Sequence, residues 1–275
     1  MTFLHVSRQS YHCSVKTKKR APSGPPLTLS AVQEGIIGCE RCPRLRSYCQ
    51  TVAREKRAAY RDWTYWGRPV PGFGDPDARV LILGLAPAAH GANRTGRVFT
   101  GDGAGASGDF LMAALHRAGR ANRTTSQVPD DGLVLRDVYI AAAVRCAPPA
   151  NKPTPEEVAS CLTHLEAELA HLPRLGTVVA LGKIAWDAWL QLVARHLTLP
   201  RPRPAFSHGA EASLTGLAPA SSAVDRPALR IPPRLIGCYH PSRQNTNTGT
   251  VTPAMYDDVF SGLLGASAAT TPELP

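Results

Sequence analysis

No acidic residue stands before Glu34 in this 275-residue chain, whereas Arg8, Lys16, Lys18, Lys19 and Arg20 all do. No apolar run is long enough to span a bilayer, and none has the form of a signal-peptide core, so nothing points to a helical membrane protein or a secreted one. The cysteines number seven. An odd count does not suit a fully paired disulfide framework, and the paired spacings favour metal ligation in a reducing compartment. Neither the Walker pattern nor the dinucleotide fingerprint occurs. No internal repeat is visible, and no lysine stands in a motif that would make it a nucleophile.

Hydrophobic content of 43% is that of a globular chain, and the net charge is +10. From Glu34 onward there are 26 basic and 21 acidic residues, so about half of the excess lies in the N-terminal stretch. A basic body with a basic tail suits a polyanion such as nucleic acid. Charge alone is equally compatible with a basic protein that has no such partner. Residues 1–28 are polar and basic and end in a Pro-rich stretch, which predicts a disordered arm. Their Arg, Lys and Ser content also resembles a transit peptide. Residues 29–275 are expected to form one domain.

Within that domain, strand and helix patterns alternate. Val80–Gly84, Val138–Val144, Thr177–Leu181 and Leu235–Tyr239 are short apolar runs that predict buried strands. Ser107–Ala118 has helical spacing with Ser107 as a possible cap. Thr154-Pro-Glu-Glu starts a helix with a cap residue, a first-turn proline and acids at the positive dipole end. Lys183–His196 and Pro253–Leu264 complete the helices. Residues 119–136 are expected to be a polar loop and 200–230 an insertion loop. The expected architecture is a three-layer α/β/α fold around a four-stranded, mostly parallel sheet. Ligands of such sheets bind beyond the carboxyl ends of the strands, which draws attention to residues 85–102, 145–152, 182–184 and 240–252.

Four cysteines fall in two pairs, Cys39-x₂-Cys42 and Cys146-x₁₄-Cys161. Four thiolates in this arrangement suit an iron–sulfur cluster or zinc, and would staple the N-terminal segment to the core. Cys49 could in principle replace Cys42, although the tight Cys-x₂-Cys spacing argues against it. Cys13 and Cys238 have no assigned role. The segment Gly84–Asp102 combines four glycines with His90, Asn93, Arg94, Arg97, Phe99 and Asp102. Such a loop can bring its backbone close to a ligand, with arginines for phosphate and Phe99 as a stacking face. A surface loop with one anchoring Phe has the same composition. His240 follows a buried strand, where it could donate to a carbonyl that gains negative charge or simply cap the strand end. Asn151 could read a base edge or only form a turn.

Residues 36–265 resemble the uracil-DNA glycosylase superfamily, specifically its type 5 enzymes. Gly84-Leu-Ala-Pro-Ala-Ala-His-Gly-Ala-Asn-Arg-Thr-Gly-Arg-Val-Phe-Thr-Gly-Asp102 is similar to the family's first motif and His240-Pro-Ser-Arg-Gln-Asn-Thr246 to its second. The resemblance implies a structural [4Fe–4S] cluster on Cys39, Cys42, Cys146 and Cys161. It implies Asp102 for water activation, His240 at the leaving base and Asn151 for base recognition. It also places Phe99, Ala86 and His90 at the base, and Asn93, Arg94, Ser242, Arg243, Gln244 and Asn245 at DNA. The implied activity is a monofunctional hydrolase that flips out and excises uracil, with hypoxanthine and modified cytosines as further substrates. The apolar Ala86 stretch favours type 5 over type 4 and predicts looser selectivity. The implied setting is a monomer acting on double-stranded and also single-stranded DNA in the bacterial cytoplasm, near the nucleoid. Two other readings compete: a non-catalytic iron–sulfur protein that binds damaged DNA, and a zinc-stapled α/β hydrolase acting on a nucleotide.

Overall fold

The computed structural model describes residues 28–223, 226 and 228–263. The expected disordered arm, apart from Thr28, and Cys13 lie outside the described residues. Six strands form one sheet: β1 (Phe73–Gly74), β2 (Val80–Gly84), β3 (Val138–Ala142), β4 (Thr177–Leu181), β5 (Glu211–Ser213) and β6 (Arg234–Cys238), in the order β1-β3-β2-β4-β6-β5. The four strands expected from their apolar runs pair in parallel. The expected count of four omits β1 and β5, short antiparallel strands that extend the two edges. With two and three residues they carry too little hydrophobic pattern to be read, and β5 lies inside the expected insertion loop.

The helices are α1 (Leu29–Ile37), α2 (Pro43–Glu55), α3 (Ala92–Thr95), α4 (Ser107–Arg117), α5 (Pro155–Leu169), α6 (Lys183–Val193), α7 (Arg243–Asn247) and α8 (Pro253–Gly262). Successive strand side chains point to opposite faces, and both faces are covered. Leu81, Leu83, Tyr139, Val178 and Ala180 pack with Leu45 of α2, Leu165 of α5 and Trp186 and Trp189 of α6. Val80, Ile82, Ile140, Val179 and Ile236 pack with Leu111 and Leu115 of α4 and Tyr256 and Phe260 of α8. Burial on both faces explains why these strands read as unbroken apolar runs. The cap of α5 is the expected one: Thr154 Oγ1 accepts from Glu157 N while Glu157 Oε2 accepts from Thr154 N at 2.8 Å. Ser107 is not a cap. The N-cap of α4 is Ala106, and Ser107 is its first helical residue.

A buried polar network ties the layers together. Arg145, which follows β3, pairs with Glu168 of α5, and both are essentially out of water. Glu168 Oε1 also accepts from Gly72 N at 2.8 Å and from Tyr139 Oη at 3.1 Å. Gln33 of α1 donates to the same Tyr139 oxygen and to Gly72 O. Removing one member strands a buried charge, which costs about 3–5 kcal/mol. Glu168→Ala is therefore expected to lower unfolding stability in urea by about 3–5 kcal/mol. Arg117→Ala, which breaks the half-exposed pair with Asp257, is expected to cost no more than about 1 kcal/mol.

Candidate active site

From β2 the chain runs to β3 on one side and then crosses to β4 on the other. The gap between the carboxyl ends of β2 and β4 is thus the switch point at which such sheets bind ligands. A cavity of about 470 Å³ lies there. It is lined by Leu85–Ala88 after β2, Leu181–Ala185 at the start of α6, and Phe99, Asp102, Asn151, His240, Ser242 and Arg243. Of the residues expected at the base, Asp102, Asn151, Phe99, Ala86 and His240 meet in this one space. His90 does not; it lines a neighbouring cavity of about 330 Å³ that shares Ala88, Asp102 and Asn151 with the first.

Asp102 is the chemically unusual member. Burial pushes its carboxyl up from 3.8 to about 6, against the pull of Arg243 and Arg94. It lies against Gly91: a Cβ on Gly91 would sit 1.7 Å from Asp102 Oδ1. Only glycine admits the carboxylate there. His240 is shifted the other way. Burial holds its imidazole down at about 4, so near neutrality it is an uncharged N–H donor. Its ring lies 6.0 Å from that of Phe99 at 31°. Asn245 Nδ2 donates to His240 O at 2.8 Å, and Ser242 caps α7 by accepting from Asn245 N, so these two residues hold the His240 loop in place. Arg243 Nη2 donates to Asp102 O at 3.3 Å. Arg243, which lines the cavity, and Gln244, which does not, are both exposed.

Backbone strain concentrates at the same place. Phe99, Ala150 and Asn151 all have φ between 50° and 55°. Each such left-handed residue costs roughly 1–3 kcal/mol, the kind of strain that surrounding structure sustains at functional sites. Gly84 at the end of β2 lets the Phe99 ring lie against the strand, where a Cβ would come within 3.0 Å of it.

Three residues expected at DNA or phosphate are turned inward. Asn93 and Arg94, expected at DNA, are buried. Asn93 Nδ2 donates to Cys49 O and Ala89 O. Arg94 lies 4.0 Å from the ring centres of both Tyr60 and Trp63 and donates to His90 O at 2.9 Å and Gly101 O at 2.6 Å. Arg97, the other candidate for phosphate, is equally committed: it pairs with Asp131 at 2.7 Å and donates to Pro129 O, Ser126 Oγ and Thr100 Oγ1. These arginines build the loop. Conversely, Lys183 and the half-exposed Ile184 line the main cavity, and Tyr48, Arg57 and Tyr60 line the second. Their only sequence signal was that 182–184 follows a strand; 48–60 carried none.

The four paired cysteines converge from separate elements. Cys39 and Cys42 lie between α1 and α2, Cys146 follows β3, and Cys161 sits on α5. Donors point at their sulfurs: Arg41 Nε at 3.3 Å from Cys39 Sγ and Arg145 N at 3.2 Å from Cys161 Sγ. Cys42 is hydrogen-bonded to Ser160, and Cys39 and Cys146 are near enough to raise its thiol further above the ordinary value, which burial has already raised. Cys49 is buried against Cys146. Among the described residues, no three His, Cys, Asp or Glu side chains are arranged to hold a single metal ion.

Residues 71–264 match the sequence profile of the uracil DNA glycosylase superfamily. The chain is 49% identical over 227 residues to a type-5 uracil-DNA glycosylase of Mycobacterium tuberculosis, covering 82% of this chain and 76% of that protein. A type-5 uracil-DNA glycosylase of Thermus thermophilus is 47% identical over 84% of this chain and 94% of its own length. A type-4 uracil-DNA glycosylase of Pyrobaculum aerophilum is 33% identical over 62% of this chain and 68% of its own length.

The contact between Gly91 and Asp102 makes a test. Carbon-13 NMR of the Asp102 carboxyl is expected to give a midpoint near 6. In Gly91→Ala the carboxylate must swing away toward water, and the midpoint is expected to fall toward the ordinary 3.8. An unchanged midpoint in the variant would contradict this origin of the shift.

Proposed function

This chain belongs to the uracil DNA glycosylase superfamily, and from that premise we propose that it excises uracil from DNA by hydrolysing the bond between base and deoxyribose, leaving an abasic site. The observation that carries the reading is the cavity at the β2–β4 switch point, where Asp102, Asn151, Phe99 and His240 line one space. Its volume falls in the range of small-ligand sites.

A base inside a duplex cannot reach these groups, so the nucleotide must flip out of the stack. Phe99 offers its ring as the stacking face, and the Asn151 amide both donates and accepts along the base edge. As the C1′–N bond breaks, its electron pair passes to the base and C1′ becomes cation-like. The neutral His240 N–H donates to the base oxygen that gains this charge. A water attacks C1′ and gives its proton to the Asp102 carboxylate. Burial keeps that carboxylate poorly solvated, which raises its basicity.

The base pocket also has apolar walls: Leu85, Ala86, Pro87 and Ala88. With few polar groups to leave unpaired, such walls reject other bases weakly. We therefore extend the substrate range to hypoxanthine and modified cytosines, and to uracil in single strands, where no pair need be broken. Lys183 is exposed and paired with Asp187 at 2.5 Å, unlike the desolvated amine that a Schiff-base lysine requires. This favours a monofunctional enzyme. No helix among the described residues is long and apolar enough to cross a membrane, and an enzyme of DNA is expected at the nucleoid.

The donors aimed at the sulfurs of Cys39 and Cys161 suit thiolates, and we assign Cys39, Cys42, Cys146 and Cys161 to a [4Fe–4S] cluster, which spreads its ligands more widely than a single ion does. Bound there, it would hold the segment around α2 to β3 and α5. Its role would be structural.

The decisive assay uses a labelled duplex with one uracil. Strand cleavage only after alkali is expected for the wild type, and Asp102→Asn and His240→Ala are each expected to slow base release by about 10²–10⁴-fold. Tight binding of uracil-containing DNA with no base release would instead indicate a damage-binding protein. Separately, Cys42→Ser is expected to lose iron and sulfide and to unfold at lower urea, whereas iron-free wild type of unchanged stability would sink the cluster assignment.

A further inference from the structure

The second cavity, about 330 Å³, is separated from the base cavity only by Ala88, Asp102 and Asn151, which belong to both. Its remaining polar lining consists of donors: Tyr48, Arg57, Tyr60 and His90. Arg57 N donates to Tyr65 Oη at 3.4 Å, and Tyr65 Oη is 3.1 Å from His90 Nδ1. When Tyr65 Oη donates to Nδ1, the N–H of His90 is on Nε2. Burial, Arg57 and Arg94 all hold His90 below the ordinary imidazole value, so this donor is neutral. Arg57 is exposed and makes no ion pair among the described residues. Arg54, Lys56 and Arg61 stand near it in the chain, together with the acidic Glu55 and Asp62. The Asp102 carboxylate on the shared wall opposes an anion here; Arg57 and Arg94 offset it.

We propose that the second cavity seats a backbone phosphate of the DNA strand, adjacent to the nucleotide whose base enters the first cavity, with Arg57 and His90 Nε2–H as its donors. The shared wall is what selects this ligand: a base and the phosphate beside it are covalently joined, and the two cavities lie side by side. The inference rests on the reading of uracil excision and assigns His90 to the strand in place of the base. A guanidinium with a neutral N–H is a charge-assisted pair for a phosphate oxygen. Neither group touches the bond that breaks, so their contribution falls on binding.

The test uses the full chain and three duplexes with one uracil: natural, and with a single neutral methylphosphonate on the 5′ or the 3′ side of that nucleotide. The enzymes are wild type, Arg57→Ala and His90→Phe. Wild type is expected to lose about tenfold or more in kcat/KM on one of the two neutral duplexes. Each variant is expected to lose a similar factor on the natural duplex, mainly in KM, and to lose little further on that neutral one. The slope of log affinity against log salt is expected to fall by about 1 in Arg57→Ala. Arg57 is exposed, so this variant should fold normally. Equal penalties for wild type and variants on both neutral duplexes would overturn the proposal. So would an unchanged salt slope in Arg57→Ala, or a His90→Phe effect confined to kcat, which would assign the cavity to delivery of water to Asp102. If wild type releases no uracil, the functional reading fails by itself, and the binding slopes on the same duplexes still decide whether the phosphate seat exists.

Discussion

Asp102 gives up hydration to stand against the Gly91 backbone, and much of the surrounding structure serves to make that tolerable. Arg243 reaches over from α7 to bond the Asp102 carbonyl, and the buried Arg94 contributes positive charge. Arg94 can remain in the interior because Tyr60 and Trp63 face its guanidinium from 4.0 Å while His90 and Gly101 accept its protons. Cation–π contacts of this kind are worth more once desolvated. The same loop carries Phe99 in a left-handed conformation. A carboxylate that is basic for its type, a neutral imidazole and an aromatic face thus share one cavity, with the buried Arg94 and the exposed Arg243 offsetting the carboxylate's charge.

Farther from the cavity, the sheet is secured by polar groups as well as apolar ones. The Arg145–Glu168 pair joins the end of β3 to α5, and through Gly72 and Tyr139 it reaches α1. Arg44 of α2 grips Glu157 of α5 with two bonds of 2.8 and 2.6 Å. The N-terminal helices are therefore tied to the core on both sides of the cysteine frame. Arg145 itself precedes Cys146, and its backbone N–H points at the Cys161 sulfur. The residues that would hold the cluster and those that anchor the sheet are neighbours in the chain.

The central strands were legible because burial on both faces leaves runs such as Val80–Gly84 without a polar interruption. The glycine-rich segment was legible as a ligand loop for a related reason: Gly91 and Gly84 stand where backbone approaches a side chain too closely for a Cβ. The roles of Asn93 and Arg94 were not legible. Whether an arginine faces phosphate or the interior depends on Tyr60 and Trp63, more than thirty residues earlier, and no local pattern announces that they fold back onto it. The second cavity has no local signature either, since Tyr48, Arg57 and Tyr60 have no motif in common and meet His90 only in three dimensions. The edge strands β1 and β5 are too short to show a period.

The pH dependence of single-turnover uracil release tests the account most directly, because it reads the ionisation of Asp102 during the chemical step. The rate is expected to rise tenfold per pH unit below the midpoint near pH 6, where the carboxyl is still protonated, and to level off above it, where the carboxylate can take a proton from water. His240, already neutral above about pH 4, adds no limb in that range. A rate that stays flat from pH 7 down to the ordinary carboxylate range, or a profile left unshifted in Asp102→Asn, would contradict the assignment of Asp102 as the base.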